Sequence, residues 1–204
     1  MLKNAKRFFI SSLIVIGFSS QSLALDKKAI VSPEDIIKKE QQAQYFEKWL
    51  GVIEVGKTTK KYLELYTGEG ETIKKPEGEK SYYIDKKNNK TLIVETNHQD
   101  VIEVATYKNY IDLPSKKKLD EIKSSKKMNI KNLMTSMGSR MGYSPTRIMN
   151  AYGRPSVEVS NKDEREFKYI MLGNFNPKLD FVYLEYSFLF KKNKVAEIRI
   201  ENGK

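Results

Sequence analysis

Side chains able to perform catalytic chemistry are scarce in this sequence. The chain contains no cysteine and a single histidine, His98, within the polar stretch Asn97-His98-Gln99-Asp100. Without a thiol or a second histidine, neither a Cys–His nor a Ser–His–Asp arrangement can be assembled away from His98, and a zinc site lacks its usual ligands. We interpret His98 as the solvated tip of a turn. The sequence therefore predicts no catalytic residue, no metal site and no cofactor, and it predicts that the protein is not an enzyme.

Carboxylates are the remaining candidates for chemistry, because a pair of them can bind a hard cation or act as acid and base. They form two groups, Glu69 with Glu71 in TGEGET, and Asp163 with Glu164 and Glu166 in NKDEREF. The spacing fits no calcium loop, and TGEGE lacks the Lys-Ser/Thr ending of a phosphate-binding loop. We interpret both groups as solvated loop acids, which leaves a hydrolase as a less favoured alternative.

A run of lysines offers a different kind of site. It comprises Lys116, Lys117, Lys118, Lys123, Lys126, Lys127 and Lys131. No arginine–aromatic motif accompanies these lysines, so we expect no nucleic-acid partner. A solvated helix face explains most of the run. The functional alternative is that Lys116, Lys117 and Lys118 contact anionic lipid head groups or an acidic partner.

The strongest binding signal is the alternating segment FVYLEYSFLF at 181–190. Alternation sends Val182, Leu184, Tyr186, Phe188 and Phe190 to one side of a strand, and we expect that side to pack on helices. The other side then carries Phe181, Tyr183, Glu185, Ser187 and Leu189. By the same register Ile93, Glu95, Glu197 and Arg199 join this second side. Aromatic residues rimmed by charge are typical of binding hot spots, so we predict a protein-binding face with Phe181 and Tyr183 as anchors and Glu185, Glu197 and Arg199 as polar orienters.

The elements that must position this face recur along the chain. In GYSPTRIMNAYGRP (142–155), Ser144 can cap a helix, Pro145 suits its first position, and Gly153 suits its end. When the first half of the sequence is aligned with the second at an offset of 86 residues, four pairs match: Gly56 with Gly142, Thr58 with Ser144, Tyr66 with Tyr152 and Tyr83 with Tyr169. The aromatic residue that ends each short helix, Tyr66 or Tyr152, is expected to pack beneath it. A longer helix opened by Ser32-Pro33 and ended by Gly51, at 33–50, corresponds to one at 119–136.

This recurrence predicts the fold class and its boundaries. We expect an α+β protein of two tandem helix-helix-antiparallel-sheet repeats, with the helices on one sheet face. The first repeat spans 25–111 and the second 119–204, with a linker at 112–118. The strands expected in each sheet include 91–96 with 101–107 and 181–190 with 195–200, each pair closed by a tight polar turn.

The first 24 residues have the pattern of a secretory signal peptide. Lys3, Lys6 and Arg7 precede an apolar stretch from Phe8 to Phe18, and Ser22-Leu23-Ala24 is a small-x-small cleavage site. The apolar stretch is shorter than the roughly 20 residues that a membrane-spanning helix needs. We therefore predict cleavage after Ala24 and a periplasmic or secreted protein. The formal net charge of the mature chain is then 11 − 3 = +8.

A resemblance to a known module rests on Gly142, Ser144, Tyr152-Gly153, Pro155 and Tyr169, followed by the closing hairpin through Ile198. In this pattern the second half resembles the SmpA/OmlA module of BamE-like proteins. A tandem pair of such units is similar to the architecture of β-lactamase inhibitory protein. The first half departs from it, because Thr67-Gly68-Glu69-Gly70 replaces the Gly-x-Pro exit. The BamE lipid-anchor cysteine and the inhibitor's disulfides are also absent.

The resemblance implies a non-enzymatic binding protein of the cell envelope or the extracellular space. We predict that its open sheet face binds a protein partner, in an envelope-assembly or inhibitor-like role. The alternative is a structural envelope component that binds anionic lipid or assembly machinery through the lysine-rich helix.

Overall fold

The computed structural model of the chain describes residues 47–114, 117–121, 130, 133–172 and 183–203. A small hairpin, β1 (Trp49–Leu50) and β2 (Ile53–Glu54), comes first and is followed by helix α1 (Lys60–Thr67). Four strands follow: β3 (Glu71–Lys75), β4 (Gly78–Asp85), β5 (Lys90–Thr96) and β6 (Ile102–Lys108). After a short 3-10 helix (Leu119–Glu121) come helix α2 (Pro145–Tyr152) and strands β7 (Val157–Ser160), β8 (Glu164–Leu172), β9 (Tyr183–Lys191) and β10 (Lys194–Gly203).

The eight strands from β3 to β10 form one antiparallel sheet. Its order is β3-β4-β5-β6-β10-β9-β8-β7, so each half is a four-stranded meander and the two last strands pair at the centre. Glu197 of β10 lies opposite Lys108 of β6, and Ile200 lies opposite Ala105. Backbone pairing between β6 and β10 thus joins residues about 90 positions apart into one continuous sheet.

The predicted fold class is wrong, because the described chain is mostly β and does not contain two helix-helix-sheet units. Trp49 and Leu50 are in a strand, and Gly51, with φ +62°, turns a hairpin instead of ending a helix. Residues 33–46 lie outside the described residues. In the second predicted long helix, the described helical residues are Leu119–Glu121 and Ile130, both in 3-10 conformation, while Met134 and Thr135 form β-bridges. Residues 122–129, 131 and 132 lie outside the described residues. Apolar spacing cannot distinguish a helix from short paired strands over so few residues.

Both short helices lie where the capping residues predict them, but the predicted alignment of the first helix with the second is wrong by one residue. Ser144 caps α2 by accepting from Arg147 N, and Thr59, not Thr58, caps α1 by accepting from Tyr62 N. Gly68 and Gly153 end the helices with φ values of +73° and +78°. The helices therefore correspond at an offset of 85, which matches Leu63 with Ile148.

The one-residue difference in alignment determines which residue at the end of each helix is buried. Tyr152 packs as predicted, against the rings of Tyr169, Tyr186 and Phe188. The prediction for Tyr66 is wrong, because Thr67 takes the corresponding position in α1 and Tyr66 is exposed.

Both helices lie on the same face of the sheet, where the hydrophobic core is. Leu63 of α1 and Ile148 of α2 are buried in one cluster with alternate residues of the strands, among them Tyr83, Val94, Tyr107, Phe188 and Ile198. On β9 the core side carries Leu184, Tyr186, Phe188 and Phe190, as alternation predicts. The strands predicted at 91–96, 101–107 and 195–200 are confirmed. The division of the chain at 112–118 remains a prediction.

Candidate functional site

The sheet face opposite the core, called here the open face, holds every predicted binding residue that the structure describes. Tyr183 and Glu185 lie on β9, Glu197 and Arg199 on β10, and Ile93 and Glu95 on β5, each pointing away from the core residues beside it. The register places Arg199 opposite Ser187 and Thr106, and Glu201 opposite Glu185. Phe181 lies outside the described residues.

A connecting segment covers one end of the open face. The Thr91 hydroxyl donates a hydrogen bond to the backbone carbonyl of Tyr110 at 3.0 Å, and Thr91 Oγ1 accepts one from the Asp112 N–H at 2.9 Å. Thr91 is completely buried and belongs to the open-face side of β5. Further on, Lys117 pairs with Glu71 of β3. Residues 109–114 therefore lie over the first half of the sheet next to β6, and Lys117 lies beside β3.

Tyr110 anchors this segment between the two halves. Its hydroxyl donates to Glu197 at 3.1 Å, and the ammonium groups of Lys108 and Lys191 lie 5.4 and 5.0 Å from its ring centre. Lys108 also pairs with Asp112 at 2.8 Å. Burial lowers the pKa of Lys108, but the hydrogen bond with Asp112 and the negative charge of Glu197 have a larger opposite effect. The pKa of Lys108 is therefore raised. Sequence reasoning missed this covering segment, although the apolar residues in YIDLP indicate one that packs.

The predicted face is therefore not equally available along its length. Ile93 is only 4% exposed, so it offers little surface to a partner. Glu95 is held by Lys75 and Lys80 at 2.5 and 3.0 Å. Burial disfavours ionisation of Glu95, but hydrogen bonds from the two lysines overcome it and lower its pKa. This half of the face is a closed ion-pair network.

The open face of β7–β10 presents more apolar surface. Half-exposed apolar side chains lie across three neighbouring strands: Val157 and Val159 on β7, Ile170 on β8, and Tyr183 and Leu189 on β9. The Tyr183 ring packs over Gly203 of β10, where an added Cβ would come within 2.8 Å of it. Gly203 thus makes room for the tyrosine to lie against the sheet.

Charged pairs lie among these apolar side chains, since Lys168 is opposite Val157 and Glu185 is opposite Ile170. The Tyr183 hydroxyl donates to Glu185, which also pairs with Lys168 at 3.3 Å. Arg199 binds Glu201 at 2.6 Å. Burial and the Glu185 carboxylate raise the pKa of Tyr183, so its hydroxyl stays protonated at neutral pH. Burial also raises the pKa of Glu166; Lys168 opposes this, while Glu185 and Glu197 add to it.

The residues that the sequence offers for catalytic chemistry lie in an exposed turn or in ion pairs. His98 is exposed in the β5–β6 turn. Glu71 is paired with Lys117 and Glu164 with Lys191. Across the described residues, no group of three or more histidine, aspartate and glutamate side chains is arranged to hold a metal ion. No helix in the described part is long and apolar enough to cross a membrane.

The predicted lysine contact is only partly described. Lys117 is engaged by Glu71, and the Lys118 N–H donates to Glu121 at 3.1 Å with its side chain exposed. Lys116 and the lysines at 123, 126, 127 and 131 lie outside the described residues. The structure therefore does not bring the three predicted lysines together into a described surface.

A buried carboxylate, Glu47, is a feature that sequence reasoning missed. It is 1% exposed and accepts from the N–H groups of Trp49, Ser136 and Met137 and from the hydroxyls of Ser136 and Tyr152. These donors include residues about 90 to 105 positions away. Glu47 therefore ties the start of the described chain to the loop before α2 and to its end.

Comparison with known proteins gives two distant structural likenesses. One solved structure is a DUF4309 family protein (YjgB) from Bacillus subtilis, with a TM-score of 0.42, 11% identity, and coverage of 83% of this chain and 94% of that one. The other is a candidate beta-lactamase inhibitor protein from Streptococcus mutans, with a TM-score of 0.27, 10% identity, and coverage of 84% and 98%. No protein-family model matches the chain, and no curated protein matches it significantly in sequence. The second structure belongs to the class named by the inhibitor resemblance, whereas the SmpA/OmlA resemblance is not shown.

Proposed function

We propose that this protein is a non-enzymatic binding protein and that a protein partner docks on the open face of β7–β10. One observation carries the proposal. Both helices and the core occupy one side of the sheet, while the other side of β7–β10 presents half-exposed apolar residues with ion pairs between them. Specific interfaces between proteins combine apolar and polar surface in this way, and aromatic residues are enriched in them.

Tyr183 is the anchor of the proposed interface. Its ring is held in place by Gly203 beneath it and by the Glu185 hydrogen bond, so little side-chain entropy remains to be lost on binding. Glu185 and Arg199 are themselves fixed by Lys168 and Glu201. A partner would meet a preorganised surface, which favours rigid shape complementarity.

The cellular setting is part of the same proposal. The signal-like pattern in residues 1–24, which lie outside the described residues, supports export to the periplasm or the exterior, with cleavage after Ala24. The partner we propose is consequently a protein of the cell envelope or the extracellular space.

The test begins with site-specific photo-crosslinking. A photoreactive amino acid replaces Leu189 on the open face, and a matched variant carries it in place of Lys87 in the exposed β4–β5 turn. We expect a discrete protein adduct from the Leu189 position and none from Lys87. Equal labelling at both positions would dismiss the open face as the interface.

Affinity for the captured protein then tests the anchor. Tyr183→Ala should weaken binding by about 2 kcal/mol, or roughly 30-fold in Kd. Tyr143→Ala, on the helix side beside Arg140 and Arg147, is the matched control and should leave Kd unchanged. Circular dichroism of both variants checks that the sheet is intact. An unaltered Kd for Tyr183→Ala would remove the assignment.

A further inference from the structure

Helix α1 exposes an apolar stripe that α2 lacks. Tyr62, Leu65 and Tyr66 are 47%, 68% and 48% exposed, and their spacing puts them on one side of the helix. The two tyrosine rings meet edge to face at 5.2 Å, with their hydroxyls 2.9 Å apart. The three side chains form a preordered surface that none of the other described residues covers, called here the α1 stripe.

Comparison of the two helices shows that the fold itself does not need this stripe. Caps and ends correspond at an offset of 85, so the α2 residues in the same positions are Arg147, Asn150 and Ala151. The central buried position keeps its apolar character in both helices, with Leu63 matching Ile148. Exposed apolar residues at one of two equivalent positions indicate a contact specific to α1.

The start of the described chain lies close to α1. The carbonyl of Lys48 accepts from Val55 N at 2.9 Å, and α1 begins five residues later at Lys60. Lys48 is therefore within about 20 Å of α1, given the extended length of a residue. Because the buried Glu47 is fixed by the second half, the preceding chain starts from a defined point.

The preceding segment has the composition to cover an apolar surface. Between the predicted cleavage site and Glu47 there are 46 − 24 = 22 residues, LDKKAIVSPEDIIKKEQQAQYF, which include Ile36, Ile37 and Phe46. Ten residues separate Ile37 from Glu47, a span of up to about 33 Å when extended. The segment also carries Glu34, Asp35 and Glu40, and the exposed Lys61 beside the stripe makes no ion pair within the described residues.

We propose that residues 25–46 bind back onto the same chain through the α1 stripe, with Ile36 and Ile37 against Tyr62, Leu65 and Tyr66. Covalent attachment favours this occupant, because a short tether gives an effective concentration in the millimolar range. Burial of the stripe would complete the helix side of the first half and leave the open face for the partner.

The absence of cysteine makes a direct test simple. A nitroxide spin label is attached to Gln42→Cys in the purified protein, and amide signals are compared with the label oxidised and reduced. We expect strong loss of signal for Leu65 and Tyr66 in α1, stronger than at Asn150 and Ala151 of α2, which lie within reach of the label because Glu47 is bound to Tyr152. Loss confined to Trp49 and Met134, the exposed residues near the β1–β2 hairpin, would overturn the proposal.

A mixing control separates an intramolecular contact from a second copy. Protein that carries the spin label but no NMR isotope is mixed with isotope-enriched protein that carries no spin label. Signal loss at Leu65 in this mixture, equal to that in the singly labelled sample, would mean that another copy occupies the stripe, which also contradicts the proposal. We expect no loss in the mixture.

A triple variant replaces the three side chains of the α1 stripe with those found at the matching positions of α2. Tyr62→Arg, Leu65→Asn and Tyr66→Ala give α1 the residues of α2. We expect unchanged circular dichroism, loss of the spin-label effect and several-fold faster trypsin cleavage after Lys38 and Lys39. Cleavage as slow as in the parent protein, with the effect at α1 retained, would refute the assignment. None of these readouts depends on the open face or its partner.

Discussion

Replacement of Glu47 should reveal how strongly the start of the described chain is held to the second half. The carboxylate is 1% exposed and accepts from five donor groups, of which Ser136 and Met137 supply the backbone N–H groups farthest along the chain. Hydrogen bonds to a charged acceptor contribute about 1.5–3 kcal/mol each, offset by the cost of burying the charge. Glu47→Ala leaves these donors without their acceptor, so we expect a loss of about 4 kcal/mol in the free energy of unfolding.

Glu47→Gln is the sharper variant because it preserves the shape. The glutamine carbonyl oxygen can still accept hydrogen bonds from some of the donors around Glu47. The glutamine NH2 group, however, is itself a donor and faces other donor groups. The Tyr152 hydroxyl can relieve part of the conflict by donating to Thr135 Oγ1, 2.5 Å away. We therefore expect a smaller loss, about 2 kcal/mol.

Urea unfolding followed by circular dichroism and by the fluorescence of Trp49, the only tryptophan, provides the assay. The midpoint should fall while the m-value is unchanged. Glu158→Gln is the control, since Glu158 pairs with Arg165 on the surface and should contribute less than about 1 kcal/mol. The reasoning is refuted if either Glu47 variant is as stable as Glu158→Gln.

Two further predictions concern backbone conformation and pH. Gly78 has φ +151°, and an added Cβ would lie 1.8 Å from the Thr96 carbonyl oxygen; Gly78→Ala should therefore cost more than about 2 kcal/mol in chemical unfolding. Gly138→Ala, at φ +73° with nothing within 4 Å of an added Cβ, should cost only about 1 kcal/mol, and equal losses would contradict the clash. The lowered pKa of Glu95 means that its ionised form stabilises the fold above the ordinary value of 4.5, and that this contribution is lost as the pH falls from there through the folded pKa. The gap in stability between the parent and Glu95→Gln should narrow over that range, and a constant gap would argue against the Lys75 and Lys80 pairing.

Local chemistry made several elements of this fold predictable. Ser144, Pro145 and Gly153 specify α2 within ten residues, and alternation identifies which side of β9 is buried. The hairpin turn at Lys192 and Asn193, both with positive φ, follows the same short-range logic. In each case the deciding interactions lie within a few positions, so the residues themselves carry the signal.

Other predictions failed where a similar local pattern fits two structures. The stretch ending in Trp49-Leu50-Gly51 has apolar spacing that a helix and a paired strand can share. Leu50 is in a strand because it pairs with Ile53 and bridges to Thr135, 85 positions away. The predicted cap of α1 is wrong by one residue because Thr58 and Thr59 are chemically equivalent. In the structure Thr58 Oγ1 accepts from the Glu54 N–H, while Thr59 Oγ1 caps the helix.

The sequence alone determined the two short helices, most strands with their inward and outward sides, and the near absence of catalytic groups. Tertiary structure decided that β6 and β10 join the halves in one sheet, that residues 109–114 cover part of the open face, and that Glu47 is buried among distant donors. The physical reason is range. Caps, turns and alternation act between neighbours, whereas strand pairing and burial depend on the free energy of contacts between residues that meet only after the chain has folded.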